Sequence, residues 1–154
     1  MNKGVNKLKA ILYLDDLTVG DVFESSQDYE ITEEEIISFA KQYDPQVFHL
    51  EVEEAKETFF QGLAGSGWLT AAVSMRLTVL SLPLADGLIG AGVDLKWPSP
   101  TRAGDLLSVT ITITDIKPSK SKPQQGIVSY ETITKNQHGD IRQVTNARVL
   151  AFKK

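Results

Sequence analysis

Between Trp68 and Leu80 the chain carries a segment of helical length that is apolar nearly all round. A helix of that kind has no polar face to give to water, so other elements of the fold must wrap it. It follows a stretch broken by Gly62, Gly65 and Gly67. The wider segment Gly62 to Leu82 is apolar enough to raise the question of a membrane span. It contains Arg76 and the hydroxyls of Ser66, Thr70, Ser74 and Thr78, and the rest of the chain is far more polar. A helix buried inside a globular domain is the better reading. The four hydroxyls fall at i, i+4 spacing, which a polar channel or a close-packed helix–sheet contact would each produce. Small residues under a sheet are the simpler explanation.

The wrapping elements are legible from a change of period. From residue 93 apolar residues recur every second position. Val93 to Trp97 ends at Pro98. Leu107, Val109, Ile111 and Ile113 alternate with Ser108, Thr110, Thr112 and Thr114, a half-buried strand. Ile127 to Lys135 and Ile141 to Phe152 read as two further strands around a turn at Asn136 to Asp140. Pro118 to Gln125 reads as a polar loop, and so does Asp86 to Gly92. Upstream, Leu17 to Phe23 is a turn feeding a short strand. Thr32 and Glu35 form a capping box. Ile36, Phe39, Ala40 and Tyr43 then make one apolar helix face. Pro45 disfavours helical geometry at Asp44, so that helix should stop there. Val52 to Phe59 is read as a short helix. This order predicts an α+β domain, an antiparallel sheet curled around one long helix. Such a sheet has open edges, which pairing with a second copy would close.

The 154 residues suit one domain, with 1–10 as a flexible tail and 11–154 as the folded unit. The absence of cysteine excludes disulfides and thiolate nucleophiles. A net charge of −4 does not favour nucleic acid. No long apolar core follows the basic start of the chain, so a signal peptide is not expected. The composition suits the cytoplasm.

The candidate chemistry lies in Tyr43-Asp44-Pro45-Gln46-Val47-Phe48-His49-Leu50. A carboxylate and an imidazole that converge can move protons to and from one water molecule. Blander readings stand beside this one. His49 could be a hydrogen-bonded core histidine, and Asp44 could cap the backbone of Val47–Glu51.

Three stretches together resemble a family. Asp44 to His49 matches the end residues of Asp-x-Asn-Pro-x-His. Leu63-Ala64-Gly65-Ser66-Gly67-Trp68-Leu69 is similar to that family's small-residue lead-in to a central helix. Leu95 to Asp105 is similar to its strand, proline and Gly-Asp turn. From about Leu17 to Phe152 the chain resembles single-hotdog MaoC-like dehydratases, the group that includes (R)-specific enoyl-CoA hydratases. It departs at Gln46-Val47, where the family has Asn-Pro, with a proline moved to position 45. It departs again at Met75, which stands where well-studied hydratases have a serine.

The resemblance implies a hotdog fold and thioesters of coenzyme A or acyl carrier protein as substrates. It implies no metal and no cofactor, and a homodimer or a hexamer built from such dimers. Asp44 and His49 would be the acid/base pair that adds water to a trans-2-enoyl thioester. Negative charge then develops on the thioester carbonyl. Gly67, at a helix start where backbone amides are free, is the candidate to stabilise it, and a packing glycine is the alternative. The fold also hosts thioesterases and non-catalytic acyl-binding subunits, which remain the competing functions. Arg102 and the lysines at 117, 120 and 122 either meet carrier phosphates or are solvated. His138 reads as a loop residue, and Trp97 as packing or as the wall of an acyl pocket.

Overall fold

The computed structural model describes residues 10–154, so the tail expected over 1–10 lies outside the described residues except for Ala10. Three helices form: α1 (Glu33–Tyr43), α2 (Val47–Leu50) and α3 (Gly67–Ser81). Six strands follow the expected order: β1 (Val22–Glu24), β2 (Tyr29–Glu30), β3 (Ile89–Lys96), β4 (Leu106–Pro118), β5 (Gln125–Lys135) and β6 (Ile141–Phe152). They make one antiparallel sheet in the order β1-β4-β5-β6-β3, with β2 also on β4.

The period-two pattern of β4 acts as expected. Leu107, Val109, Ile111 and Ile113 all point into the core, none more than 2 % exposed. Leu69, Val73 and Leu77 of α3 meet them. The hydroxyl stripe of α3 is buried with them, because a small side chain lets sheet and helix approach closely. Thr70 Oγ1 pairs with Thr101 Oγ1 at 2.7 Å and Ser74 Oγ with Thr134 Oγ1 at 2.8 Å. Thr78 Oγ1 donates to the Ser74 carbonyl at 2.7 Å. The stripe is thus a satisfied packing surface and not a channel.

Five expectations need correction. α3 is covered on one side only: Trp68, Met75, Val79 and Leu80 remain exposed in the single chain. The capping box is half formed. Thr32 Oγ1 accepts from the Glu35 amide at 3.1 Å, but the Glu35 carboxylate turns away to accept from the Tyr29 hydroxyl at 2.6 Å. Tyr43 leaves the apolar face and is 65 % exposed, tilted against Phe39. The helix expected over Val52 to Phe59 shrinks to a 3₁₀ turn at Glu54–Glu57, and Ala55 is its one buried residue. With Glu53, Glu54 and Glu57 beside it, that turn has no apolar stripe to hold a longer helix.

β3 also starts earlier than the alternation indicates, at Ile89 inside the expected loop. Pairing with β6 carries it through a bulge between Gly90 and Gly92. At Gly92 the Arg148 guanidinium occupies the space of a side chain, 2.6 Å from where a Cβ would sit.

The Gly-Asp turn is anchored by a buried ion pair. Asp105 Oδ2 accepts from Arg142 Nε at 2.9 Å and from the Arg102 amide at 2.9 Å. Its Oδ1 accepts from Asn136 Nδ2 at 3.0 Å and Arg142 Nη2 at 3.2 Å. Burial alone would push this carboxyl up, but these donors outweigh it and hold it below the usual carboxylate range. Among the described residues no helix is long and apolar enough to cross a membrane.

Candidate active site

Helix α1 stops where Pro45 requires, with Asp44 as its C-cap. Two residues later the chain turns into α2, a single helical turn that carries His49 inward to 5 % exposure. The segment 63–66 runs alongside. The Ala64 amide donates to the Phe48 carbonyl at 2.9 Å. His49 Nδ1 lies 2.6 Å from the Ala64 carbonyl. A carbonyl only accepts, so Nδ1 carries the proton and Nε2 is the nitrogen left for chemistry.

Nε2 faces Asp44 Oδ2 at 3.2 Å. The structure therefore brings together the two residues that spacing singled out. The Asp44 carboxylate does not cap the following turn. It accepts from Gln46 Nε2 at 2.7 Å on one oxygen and from Ser66 Oγ at 2.7 Å on the other. Gln46, a departure from the family motif, thus supplies a donor to the pair. Burial pushes the Asp44 carboxyl up. The Ser66 and Gln46 hydrogen bonds and the neighbouring His49 outweigh it, and the net shift is downward. Asp44 is the member of the pair held ionised.

A cavity of about 550 Å³ opens beside His49, lined by Phe48, Phe60, Gly67, Trp97, Pro98 and Thr101. Gly67 is the first residue of α3, and its amide has no acceptor within the helix. The space above its Cα is not open, as close approach of a thioester would need. The Trp97 ring fills it, with Cε2 2.6 Å from where a Cβ would sit. Trp97 is itself held by a 2.9 Å bond from Nε1 to Gln143 Oε1. Glycine is thus required here by packing, and its amide is available at the same time.

Two contributors have no signal of their role in the sequence. Ser66 belongs there to the small-residue stripe and the lead-in to α3. Arg102 has the look of a phosphate contact or a solvated residue. Its guanidinium instead collects the carbonyls of Phe60 (2.5 Å), Gly62 (3.0 Å) and Leu63 (3.1 Å), which fixes the segment that carries Phe60 over the cavity. The three carbonyls lie in one short stretch, but Arg102 reaches them from 39 to 42 residues away, so no local pattern announces the contact. Met75 is 49 % exposed and the Ser74 hydroxyl is bonded to Thr134, so the dyad has its hydroxyl from Ser66 instead. Lys117 pairs at the surface with Asp115 at 3.7 Å. His138 sits in the β5–β6 turn, where its amide donates to Asn136 Oδ1.

Comparisons with known proteins bear on the fold and the family. A MaoC-like dehydratase from Rhodospirillum rubrum is 49 % identical and superposes with a TM-score of 0.90, over 93 % of this chain and 98 % of that one. An (R)-hydratase from Pseudomonas aeruginosa shares the fold at 24 % identity and a TM-score of 0.72, over 92 % of this chain and 86 % of that one. Among curated relatives, the uncharacterized protein YdeM of Bacillus subtilis is 29 % identical over 127 residues, 80 % of this chain and 87 % of that one. A mesaconyl-CoA hydratase of Haloarcula marismortui is 43 % identical over 65 residues, 42 % of this chain but only 18 % of that protein. Residues 16–136 match the family described as MaoC like domain, and the chain belongs to that family of hotdog-fold hydratases and dehydratases.

Proposed function

We propose that this protein is a hydro-lyase that reversibly hydrates trans-2-enoyl thioesters of coenzyme A or acyl carrier protein to (R)-3-hydroxyacyl thioesters. The observation that carries the reading is the pair of acceptors, Asp44 Oδ2 and His49 Nε2, 3.2 Å apart beside an aromatic-walled cavity. With Nδ1 donating to Ala64 and the imidazole in its neutral form, Nε2 and Oδ2 both accept hydrogen bonds, and one water can donate to both. Its lone pair is then free to attack. The oxygen bonds to Cβ, the Cα=Cβ π bond breaks, and the electron pair moves onto the thioester enolate. The Gly67 amide, at the positive end of α3, supports the enolate oxygen. The proton taken from water by the ionised Asp44 returns to Cα. Dehydration is the reverse.

The acting unit is a homodimer in this proposal. The free edge of β3, with Ile89 and Val93 exposed, adjoins the uncovered apolar residues of α3. A second copy placed on that edge would extend the sheet and cover both.

Crotonyl-CoA and a medium-chain enoyl-CoA test the activity through loss of enoyl absorbance. Asp44→Asn and His49→Ala should each cut kcat by about 10² to 10⁴-fold, the usual contribution of a general acid or base. Near wild-type rates in both variants would remove the pair from the mechanism. Free thiol released from saturated acyl-CoA without hydration would make the protein a thioesterase.

A further inference from the structure

We propose that Ser66 is a positioning residue for the acid/base pair: its hydroxyl holds the Asp44 carboxylate toward His49 and couples it to the amino end of α3. This rests on the hydration reading above. Ser66 is fully buried, and a hydroxyl has one hydrogen to give. A carboxylate held ionised only accepts and an amide only donates. The hydrogen therefore goes to Asp44 Oδ2 at 2.7 Å, and a lone pair takes the Trp68 amide at 3.2 Å. The result is a directed chain from amide to hydroxyl to carboxylate. Each bond polarises the next, and the chain starts at the positive end of a 15-residue helix.

Capping alone does not account for this arrangement. A cap needs only the Trp68 contact, two residues along the chain. The shorter contact spans 22 residues and joins the end of α1 to the start of α3. The other hydroxyls of the stripe make no such link: Thr70 and Ser74 are spent on Thr101 and Thr134, and Thr78 on its own helix. Ser66 donates to the same oxygen that faces His49, so it fixes which edge of the carboxylate meets the imidazole. Gln46 holds only the other oxygen. Of the groups packed on Asp44, His49 from α2 is titratable, whereas Gln46 and Ser66 are neutral.

The test uses the whole protein with Ser66→Ala, Ser66→Gly and Ser66→Thr. Glycine preserves most of the cap and alanine does not, so the pair separates capping from positioning. Two quantities are read: the Asp44 carboxyl titration by ¹³C NMR, and the pH profile of kcat/KM for crotonyl-CoA. Both Ala and Gly variants should titrate Asp44 at higher pH and move the acid limb of the profile the same way. Their kcat should fall by roughly 10- to 100-fold, the scale of a misplaced catalytic group. Thr, which keeps the hydroxyl, should return the acid limb toward wild type. If the Ala and Gly variants titrate Asp44 as wild type does, or lose rate only in step with Tm, the proposal fails. If the titration moves in a protein that hydrates no enoyl thioester, the catalytic reading of the pair falls, and with it the positioning role.

Discussion

Replacing Gly67 by alanine tests the packing at the wall of the cavity. The new Cβ would lie 2.6, 2.8 and 2.9 Å from Cε2, Cδ2 and Cζ2 of Trp97. All three distances are below real carbon contacts, and the rigid indole cannot yield one atom at a time. It must move as a unit against its bond to Gln143. Overpacking of this kind costs about 1–3 kcal/mol. Working against it, alanine is favoured over glycine in a helix interior by up to about 1 kcal/mol, less in a first turn. The net expectation is a loss of about 1–2 kcal/mol, a fall in Tm of about 2–8 °C for a chain of this length. In a Trp97→Ala background the obstacle is gone, and Gly67→Ala should be neutral or slightly stabilising. Thermal melts of the four proteins give the coupling directly, expected at about 1–3 kcal/mol. A coupling within about 0.5 kcal/mol of zero would refute the packing argument.

Other expectations follow from single contacts. Asp105→Ala strands the buried Arg142 and should cost about 3–5 kcal/mol, read from urea midpoints; a loss below 1 would show that the ion pair does not hold the turn. The folded pKa of Asp105 is depressed, so its stabilisation is complete above the unfolded carboxyl value of about 3.9 and is lost as pH falls through the lower folded value. Wild type should therefore lose its advantage over Asp105→Asn in acid, and a difference independent of pH would contradict this. Leu77→Ala, at a 2 % exposed position under the sheet, should cost about 2–5 kcal/mol by thermal melt. If the proposed dimer forms through the uncovered face of α3, Val79→Glu should leave the folded chain nearly as stable yet halve the mass seen by light scattering. An unchanged mass would refute a dimer on that face.

The sequence by itself determined the elements whose cause is local. The all-round apolar run fixed α3 as the helix to be covered, and the alternation from Leu107 to Ile113 assigned one face of β4 to the core. Pro45 set the end of α1 and so the place of Asp44. The spacing of Asp44 and His49 marked the dyad, because one stopped helix and one further turn suffice to bring them together. Elements with non-local causes were not legible. β3 forms across two glycines because β6 pairs with it and Arg148 covers Gly92. The Glu35 carboxylate turns from its cap to the Tyr29 hydroxyl, which stands there because β2 pairs with the distant β4. Only tertiary structure decided that Trp97 fills the space above Gly67, that Arg102 gathers three carbonyls, and that the Ser66 hydroxyl reaches Asp44. A local pattern records which face a residue presents, whereas these contacts depend on what the rest of the chain places against that face.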